Sequence, residues 1–213
     1  MSDSHQRPNH HSGKGNEVLD AALQLFADKG FASTSVREIV LKAGLTKPAL
    51  YYHFGSKEGL LRAILEEGLA EFEARVHENV DTAVDARDAL VKFMETCFEV
   101  ASRKPEIASL IYQVIFGPEG SSPGIDVSDI TRRNTALMMY VIERAVREGL
   151  IQETNAEQAL LLLSGLLNIH LMAYLKGHLK QLDPEMAHQA VDFYLWGVAG
   201  RASERSTPTV REG

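Results

Sequence analysis

Residues 34–57 of the chain read TSVREIVLKAGLTKPALYYHFGSK, and this stretch decides the fold of the amino-terminal part. Ser35 followed three positions later by Glu38 is a capping-box pattern, which predicts that a helix begins at the next residue. Gly44 supplies the positive φ that ends a helix in a sharp bend. Thr46 can then cap a second helix. The stretch therefore predicts a helix-turn-helix.

The second of these helices has two distinct faces. At about 100° per residue, Leu50 and Phe54 share one side, which we expect to pack inward. Pro48, Ala49 and Tyr52 point the opposite way. Small residues beside an outward tyrosine suit a helix that lies in the major groove of DNA.

The flanks of the same segment carry side chains that can reach the DNA backbone. We expect Arg37, Tyr52, Pro48 and Ala49 to lie near bases, and the others to position the backbone. The complete predicted DNA-binding set is Thr34, Ser35, Arg37, Thr46, Lys47, Pro48, Ala49, Tyr51, Tyr52, His53 and Lys57.

This segment resembles the TetR family of bacterial transcriptional regulators, and the resemblance covers roughly residues 16–62. It is carried by Phe26, Gly30, Phe31, Thr34, Ser35, Arg37, Ile39, Ala43, Gly44, Thr46, Leu50, Tyr51, His53, Phe54, Ser56, Lys57, Glu58 and Leu60. Pro48 takes a place that is often glycine in the family. The resemblance implies an all-helical homodimeric regulator that a small ligand releases from its operator.

The charge is distributed unevenly along the 213 residues. The net charge of −7 argues, taken whole, against a nucleic-acid binder. Residues 1–65, however, hold eight Lys and Arg against six Asp and Glu, whereas residues 66–213 hold fourteen against twenty-three. A basic head on an acidic body is compatible with DNA binding, because contact depends on the local field.

The cysteine content and the apolar runs favour a soluble, cytoplasmic protein. The one cysteine, Cys97, excludes an intrachain disulfide, and its apolar helical setting favours an inert buried thiol over a redox switch. Residues 1–15 show no signal sequence. The longest apolar run, 159–175, falls short of the roughly 20 residues that a membrane span needs, so we expect a helix buried on most sides.

The whole chain is expected to be all-α, with a three-helix head on a larger helical bundle. We expect Asn16 to cap the first helix and further helices at about 57–80, 86–102, 106–116, 128–148, 156–179 and 184–200. A long loop at 117–124 is expected to border a binding site. The expected divisions are a disordered arm at 1–15, the DNA-binding domain at 16–62, the ligand-binding and dimerisation domain at 63–201, and a disordered tail at 202–213.

The last two helices are too apolar for the surface of a monomer. A helix that is apolar on every side is buried on every side, and a second copy of the chain is the simplest partner. Two-fold pairing also suits a short reading helix, because it sets two half-sites about 34 Å apart. The predicted interface residues are Leu160, Leu163, Leu167, Leu171, Phe193 and Trp196.

A small-molecule pocket is implied by the family resemblance, and the body offers apolar side chains with a few polar groups to line it. The predicted lining is Met94, Phe98, Tyr112, Phe116, Met138, Met139, Asn168, His170 and Tyr174. The competing interpretation is that most of these residues are core, since Met and aromatic residues at helical spacing are usually buried.

Three functions can be weighed on these observations. An enzyme is disfavoured, because no catalytic triad, phosphate-binding loop, dinucleotide fingerprint or metal-ligand spacing is present in the sequence, and no cofactor or metal is expected. The favoured function is a ligand-responsive, sequence-specific DNA-binding regulator that acts as a repressor. A sensor acting through protein partners, or an activator, is the alternative.

Overall fold

The computed structural model describes residues 13–117 and 125–198, and every regular element in those two segments is helical. A short 3₁₀ turn, Glu153–Asn155, precedes the eighth α-helix. The helices are α1 (Gly13–Lys29), α2 (Val36–Lys42), α3 (Lys47–Phe54), α4 (Lys57–Asp81), α5 (Ala86–Arg103), α6 (Pro105–Phe116), α7 (Val127–Arg147), α8 (Ala156–Leu175) and α9 (Pro184–Val198). The predicted all-α fold is confirmed.

The turn between α2 and α3 is built by the local signals in the sequence. The amide of Glu38 donates to Ser35 Oγ at 3.3 Å, and the amide of Ser35 donates to Glu38 Oε2 at 2.9 Å, which completes the capping box. Gly44 has φ of 64°, and Thr46 Oγ1 accepts the amide of Ala49 at 3.4 Å. The predicted helix-turn-helix is confirmed.

One hydrophobic cluster, the head cluster, joins α1, α2, α3 and the first half of α4. Its centre includes Phe26 and Leu50, both completely buried. The cluster also takes in Leu110 and Val114 from α6 and Ile130 from α7. The head therefore packs on the body through its apolar core, and the division at residues 62 and 63 stays a prediction.

A second hydrophobic cluster, the body cluster, joins α5, α7, α8, α9 and the second half of α4. The connecting helix α4 belongs to both clusters, since Leu61 and Leu65 lie in the head cluster while Val76 and Val80 lie in the body cluster. Both halves of this 25-residue helix are therefore anchored, and α4 connects the two clusters.

Several element boundaries differ from those expected. Helix α1 begins at Gly13, so Asn16 lies inside it and residues 13–15 are not part of an arm. Helix α8 ends at Leu175, four residues early, because the backbone turns at Gly177 with φ of 75°. Residues 1–12 of the expected arm at 1–15, nearly all of the loop at 117–124 and the tail at 202–213 lie outside the described residues.

The apolar helical segment that contains α8 is longer than the apolar run at 159–175 that the sequence shows. With its 3₁₀ turn it spans Glu153–Leu175, 23 residues, and this is enough to cross a membrane by length and composition alone. One side of the helix is buried in the body cluster through Leu163, Leu167 and Leu171. Its other side is exposed, so the expectation that it is buried on most sides does not hold within one chain.

Candidate nucleic-acid interface and effector cavity

Helix α3 presents its aromatic residues outward, as the sequence predicts. Tyr52 is 86% exposed and Tyr51 is 48% exposed, whereas Leu50 is completely buried and anchors the helix on the head. Pro48 is exposed as well. Ala49 differs from the expectation, because it is half-buried beside the cap rather than fully outward.

The rim of this surface carries positive and titratable groups. Arg37, Lys47 and His53 are all exposed, and α3 itself contains no acidic residue. Glu38, which directly follows Arg37, accepts a hydrogen bond from the Lys29 ammonium. That bond, together with those from Ser35, lowers the pKa of Glu38 to about 2. Glu38 is therefore ionised but paired with Lys29, which weakens its attraction for the exposed basic groups of the rim.

Lys57 and Thr34, which the sequence predicts to contact the DNA backbone, make hydrogen bonds within the head. Lys57 Nζ donates to the carbonyl oxygens of Phe31 at 2.8 Å and Thr34 at 2.9 Å, and lies 4.2 Å from the centre of the Phe31 ring. Thr34 is 2% exposed, and its Oγ1 lies 2.9 Å from the carbonyl oxygen of Gly30 and 3.1 Å from that of Leu25. Both side chains hold the α1–α2 turn against α4.

Ser35 and Thr46 stay exposed, but their side-chain oxygens already accept helix amides as caps. Contacts of these two residues with DNA, like those of Arg37, Lys47, Tyr51, Tyr52 and His53, stay predictions that the exposed positions permit. The surface as a whole is a short helix with an outward aromatic and cations at its rim, the arrangement of a major-groove reading helix.

The comparisons with known proteins agree with this geometry. The family model for bacterial regulatory proteins of the tetR family matches residues 18–64. The HTH-type transcriptional repressor KstR2 of Mycolicibacterium smegmatis is 31% identical over 144 residues, which cover 67% of this chain and 69% of that protein. This chain belongs to the TetR family. It is a DNA-binding transcriptional regulator.

Other TetR-family similarities extend along most of the chain. The repressor KstR2 of Rhodococcus jostii is 29% identical over 65% of this chain and 68% of its own length. The structure of the fatty acid degradation regulator FadR from Bacillus halodurans superposes with a TM-score of 0.75 at 16% identity, covering 88% of this chain and 97% of that one. At this identity the superposition establishes the fold alone.

A cavity of about 210 Å³ lies among α4, α5, α6, α7 and α8, and it is the candidate for the predicted ligand pocket, named the effector cavity below. Four of the residues predicted to line it do so: Tyr112, Phe116, Met138 and Asn168. Its wall is otherwise mainly aliphatic and aromatic, for example Phe72 on α4 and Phe93 on α5. A mainly apolar wall with a few polar groups is typical of small-molecule sites.

Five predicted lining residues lie elsewhere. Met94 and Phe98 are buried within the body cluster, and Met139 packs against the same cluster. His170 lies with Nδ1 2.7 Å from the carbonyl oxygen of Leu166 and with its ring 5.6 Å from that of Phe98. Tyr174 is half-buried near the end of α8, away from the cavity wall. These positions fit the competing interpretation that such residues are core.

Three polar groups in the cavity wall form a connected set. The Tyr112 hydroxyl donates to Asn168 Oδ1 at 2.6 Å, and Asn168 Nδ2 donates to Ser164 Oγ at 3.3 Å. Burial raises the pKa of the Tyr112 phenol, so the group stays a neutral donor. Cys97 also lines the cavity, and burial raises the pKa of its thiol. A protonated, buried thiol supports the inert interpretation over the redox one.

Sequence reasoning missed the two charged side chains in the wall, Lys104 and Glu71. Lys104 Nζ donates to Glu71 Oε2 at 2.6 Å, and both side chains are partly exposed, at 48% and 39%, so they mark the rim of the cavity. A signal was available for Lys104, because it starts the helical repeat along α6 that reaches the correctly predicted Tyr112 and Phe116. No such signal was available for Glu71, because it lies 33 residues from Lys104 in the sequence.

The predicted dimer interface is only partly exposed. Leu163, Leu167 and Leu171 point into the body cluster of their own chain, and Leu160 is partly buried against it. Phe193 and Trp196 are exposed, as the prediction requires. The outward apolar face of α8 is formed by different residues, which are Leu161, Leu162, Ile169 and Met172. Together with Phe193 and Trp196 these four define the α8–α9 face.

Proposed function

We propose that this TetR-family chain is a cytoplasmic homodimeric repressor that a small, largely apolar molecule releases from a pseudo-palindromic operator. The observation that carries the proposal is the course of α4. This helix enters the head cluster at Leu60 and then borders the effector cavity through Leu69, Glu71 and Phe72. A ligand in the cavity therefore touches the same helix that positions the DNA-reading head.

The dimer is supported by the α8–α9 face. Six large apolar side chains exposed on two adjacent helices make a surface that a folded protein seldom leaves in water. Gly165 lies on the exposed side of α8, and a side chain added there would meet nothing within 4 Å in its own chain. A second copy packed on this face would bury these groups. The resulting dimer would hold its two α3 helices at a distance that lets them enter successive major grooves of DNA.

In the DNA complex we assign base-reading roles to Tyr52, Pro48 and Arg37. Lys47, Tyr51 and His53 are assigned to the phosphate backbone, since they flank α3 at exposed positions. Ala49, half-buried beside Pro48, lets the helix approach the groove closely. Lys57 and Thr34 support the head instead of touching DNA.

Release follows from linkage between the two sites. A ligand that fits the cavity best when α4 is displaced favours a spacing of the heads that no longer matches the groove repeat. It then lowers operator affinity by the factor by which DNA lowers ligand affinity. The names of the KstR2 relatives as repressors support repression over activation for this chain.

The test is selection of bound sequences from random DNA duplexes by the purified chain, repeated across a salt series. We expect enrichment of a pseudo-palindrome with two half-sites, and salt-dependent binding to all duplexes beneath it. A promoter carrying the enriched site should be silenced by the protein in a transcription assay. Higher transcription would indicate an activator, and no DNA binding would indicate a sensor that acts through protein partners.

A further inference from the structure

The effector cavity extends along helix α6. Seven residues of α6 line it: Lys104, Ile107, Ala108, Ile111, Tyr112, Ile115 and Phe116. They repeat at helical spacing, so the cavity follows one face of this 12-residue helix over a length of about 18 Å. A cavity that extends over such a length can hold an extended chain along α6.

Charge is concentrated at one end of this cavity. Among the described lining residues the charged ones are Lys104 and Glu71, both at the start of the α6 face. Arg75 lies 3.7 Å from Glu71 and 3.1 Å from Glu99, and Arg103 lies 3.1 Å from Glu99. Lys104 is therefore the one cation among the described residues that line the cavity. At the other end of the α6 face lies Phe116, which is 61% exposed.

We propose that the effector is an unbranched apolar chain with one anionic end group, and that this group binds Lys104 in place of Glu71. The proposal deepens the function proposed above and rests on it. The chain lies along α6 towards Phe116, and the end group takes the hydrogen bond that Lys104 otherwise gives to Glu71. Because one anionic acceptor replaces another, the Lys104 ammonium keeps a charged hydrogen-bond partner at the rim of the cavity.

The exchange also explains how occupancy reaches the head. Glu71 belongs to α4, and its bond to Lys104 ties α4 to the start of α6. One turn earlier Gly68 lies so close to α6 that an added side-chain carbon would approach Ile107 Cγ2 to 2.9 Å. The opposite face of α6 contributes Leu110 and Val114 to the head cluster. Release of Glu71 thus loosens the junction between the cavity and the reading head.

The test measures binding of matched probes by isothermal titration calorimetry, without DNA and below micelle-forming concentrations. Decanoate and decanol share a tail and differ in charge, while adamantanecarboxylate has the same charge on a compact skeleton. We expect decanoate to bind roughly fivefold tighter than decanol, because the rim is half exposed and the lost Glu71 pair offsets part of the gain. Decyl phosphate, run in parallel, distinguishes a phosphate end group from a carboxylate, and tight binding of either supports the proposal.

Substitutions separate the roles of the two rim residues. Lys104→Met should remove the preference for decanoate, Lys104→Arg should keep it, and Glu71→Gln should strengthen decanoate binding while leaving decanol unchanged. Lys180→Met is the matched control, since Lys180 is an exposed lysine in the loop after α8, outside the cavity. Thermal melts show whether each variant is folded. If Lys104→Met is unfolded, Glu71→Gln still tests whether the anionic end group replaces Glu71 at Lys104.

Three results would overturn the proposal: equal affinity for decanoate and decanol, a preference that survives in Lys104→Met, or adamantanecarboxylate binding as tightly as decanoate. Absence of binding by every probe would overturn it as well. In each of these cases an enriched operator in the duplex selection would leave the proposed regulator function standing, because that selection uses no ligand.

Discussion

Tyr52 on α3 and Trp196 on α9 are almost equally exposed, at 86% and 84%, but their surroundings differ. Tyr52 stands on a helix whose rim carries Lys47 and His53 and no acid. Trp196 stands beside Phe193 on a helix that packs next to the apolar outer side of α8. Basic side chains around an aromatic residue suit a polyanion, whereas apolar neighbours suit another protein surface. The neighbours, and not the exposure, therefore indicate the partner.

The largest expected effect is on the α8–α9 face. The double substitution Phe193→Asp with Trp196→Asp places charges in a surface that the proposed dimer buries, so the protein should sediment as a monomer. Operator affinity should then fall by about a hundredfold or more, because the two heads no longer bind as one unit. Val84→Asp is the control, since Val84 is 85% exposed but lies between α4 and α5. A dimer that persists in the double variant would refute the assignment of this face.

The next effect concerns the reading helix. Tyr52→Ala should lower affinity for the selected operator by about tenfold or more, the range of one base contact, while affinity for random duplexes stays nearly constant. Competition binding with the two duplexes measures the ratio. Equal loss on both would show that Tyr52 contacts the backbone, and the assigned roles in α3 would then have to be exchanged.

Two lysines of the head should behave differently. Lys47→Met should weaken binding to all duplexes and reduce the salt dependence by about one unit for each head, because an exposed phosphate contact is lost. Lys57→Met should leave that dependence unchanged and instead destabilise the fold by about 2 kcal/mol, because two backbone carbonyls lose a charged donor. Salt titrations and thermal melts measure the two effects. A reduced salt dependence in Lys57→Met would return Lys57 to the DNA-binding set.

The smallest expected effect is a pH dependence at Glu38. Its pKa is lowered in the folded chain from 4.5 to about 2, so the folded state prefers the ionised carboxylate. The stability it contributes is present above pH 4.5 and declines as the pH falls towards 2. Glu38→Gln should therefore melt slightly lower than the wild type above pH 4.5, and the difference should shrink on acidification. A difference that does not change with pH would assign the effect to the neutral cap alone.

The head could be predicted from sequence because its determinants are local. The Ser35–Glu38 box, the bend at Gly44 and the Thr46 cap each act within three or four residues, and the structure has all of them. The bonds of Lys57 within the head could not be predicted, for the opposite reason. Its acceptors are 23 and 26 positions away, and no spacing rule connects them.

The side-chain contacts of the body could not be predicted from sequence, because they join residues far apart in the chain and because many apolar residues could have formed the core. Tyr112 and Asn168 meet across 56 positions, so their pairing depends on how α6 and α8 pack. In α8, leucines run consecutively from 160 to 163, and such a run has no preferred phase. In the structure Leu163 packs into the body cluster and Leu161 is exposed. The sequence pattern of four consecutive leucines does not predict which of them lies inward.

Cys97 gives the effector cavity a built-in reporter of its own occupancy. It is the one thiol in the chain and it forms part of the cavity wall, so a single covalent adduct per subunit would mark a single place. Protonated and buried, it should react slowly with a small alkylating reagent, and more slowly still when a bound molecule fills the space in front of it. The rate of adduct formation, followed by the mass of the intact chain, would then rank effectors by how strongly they protect Cys97, in an assay that contains no DNA.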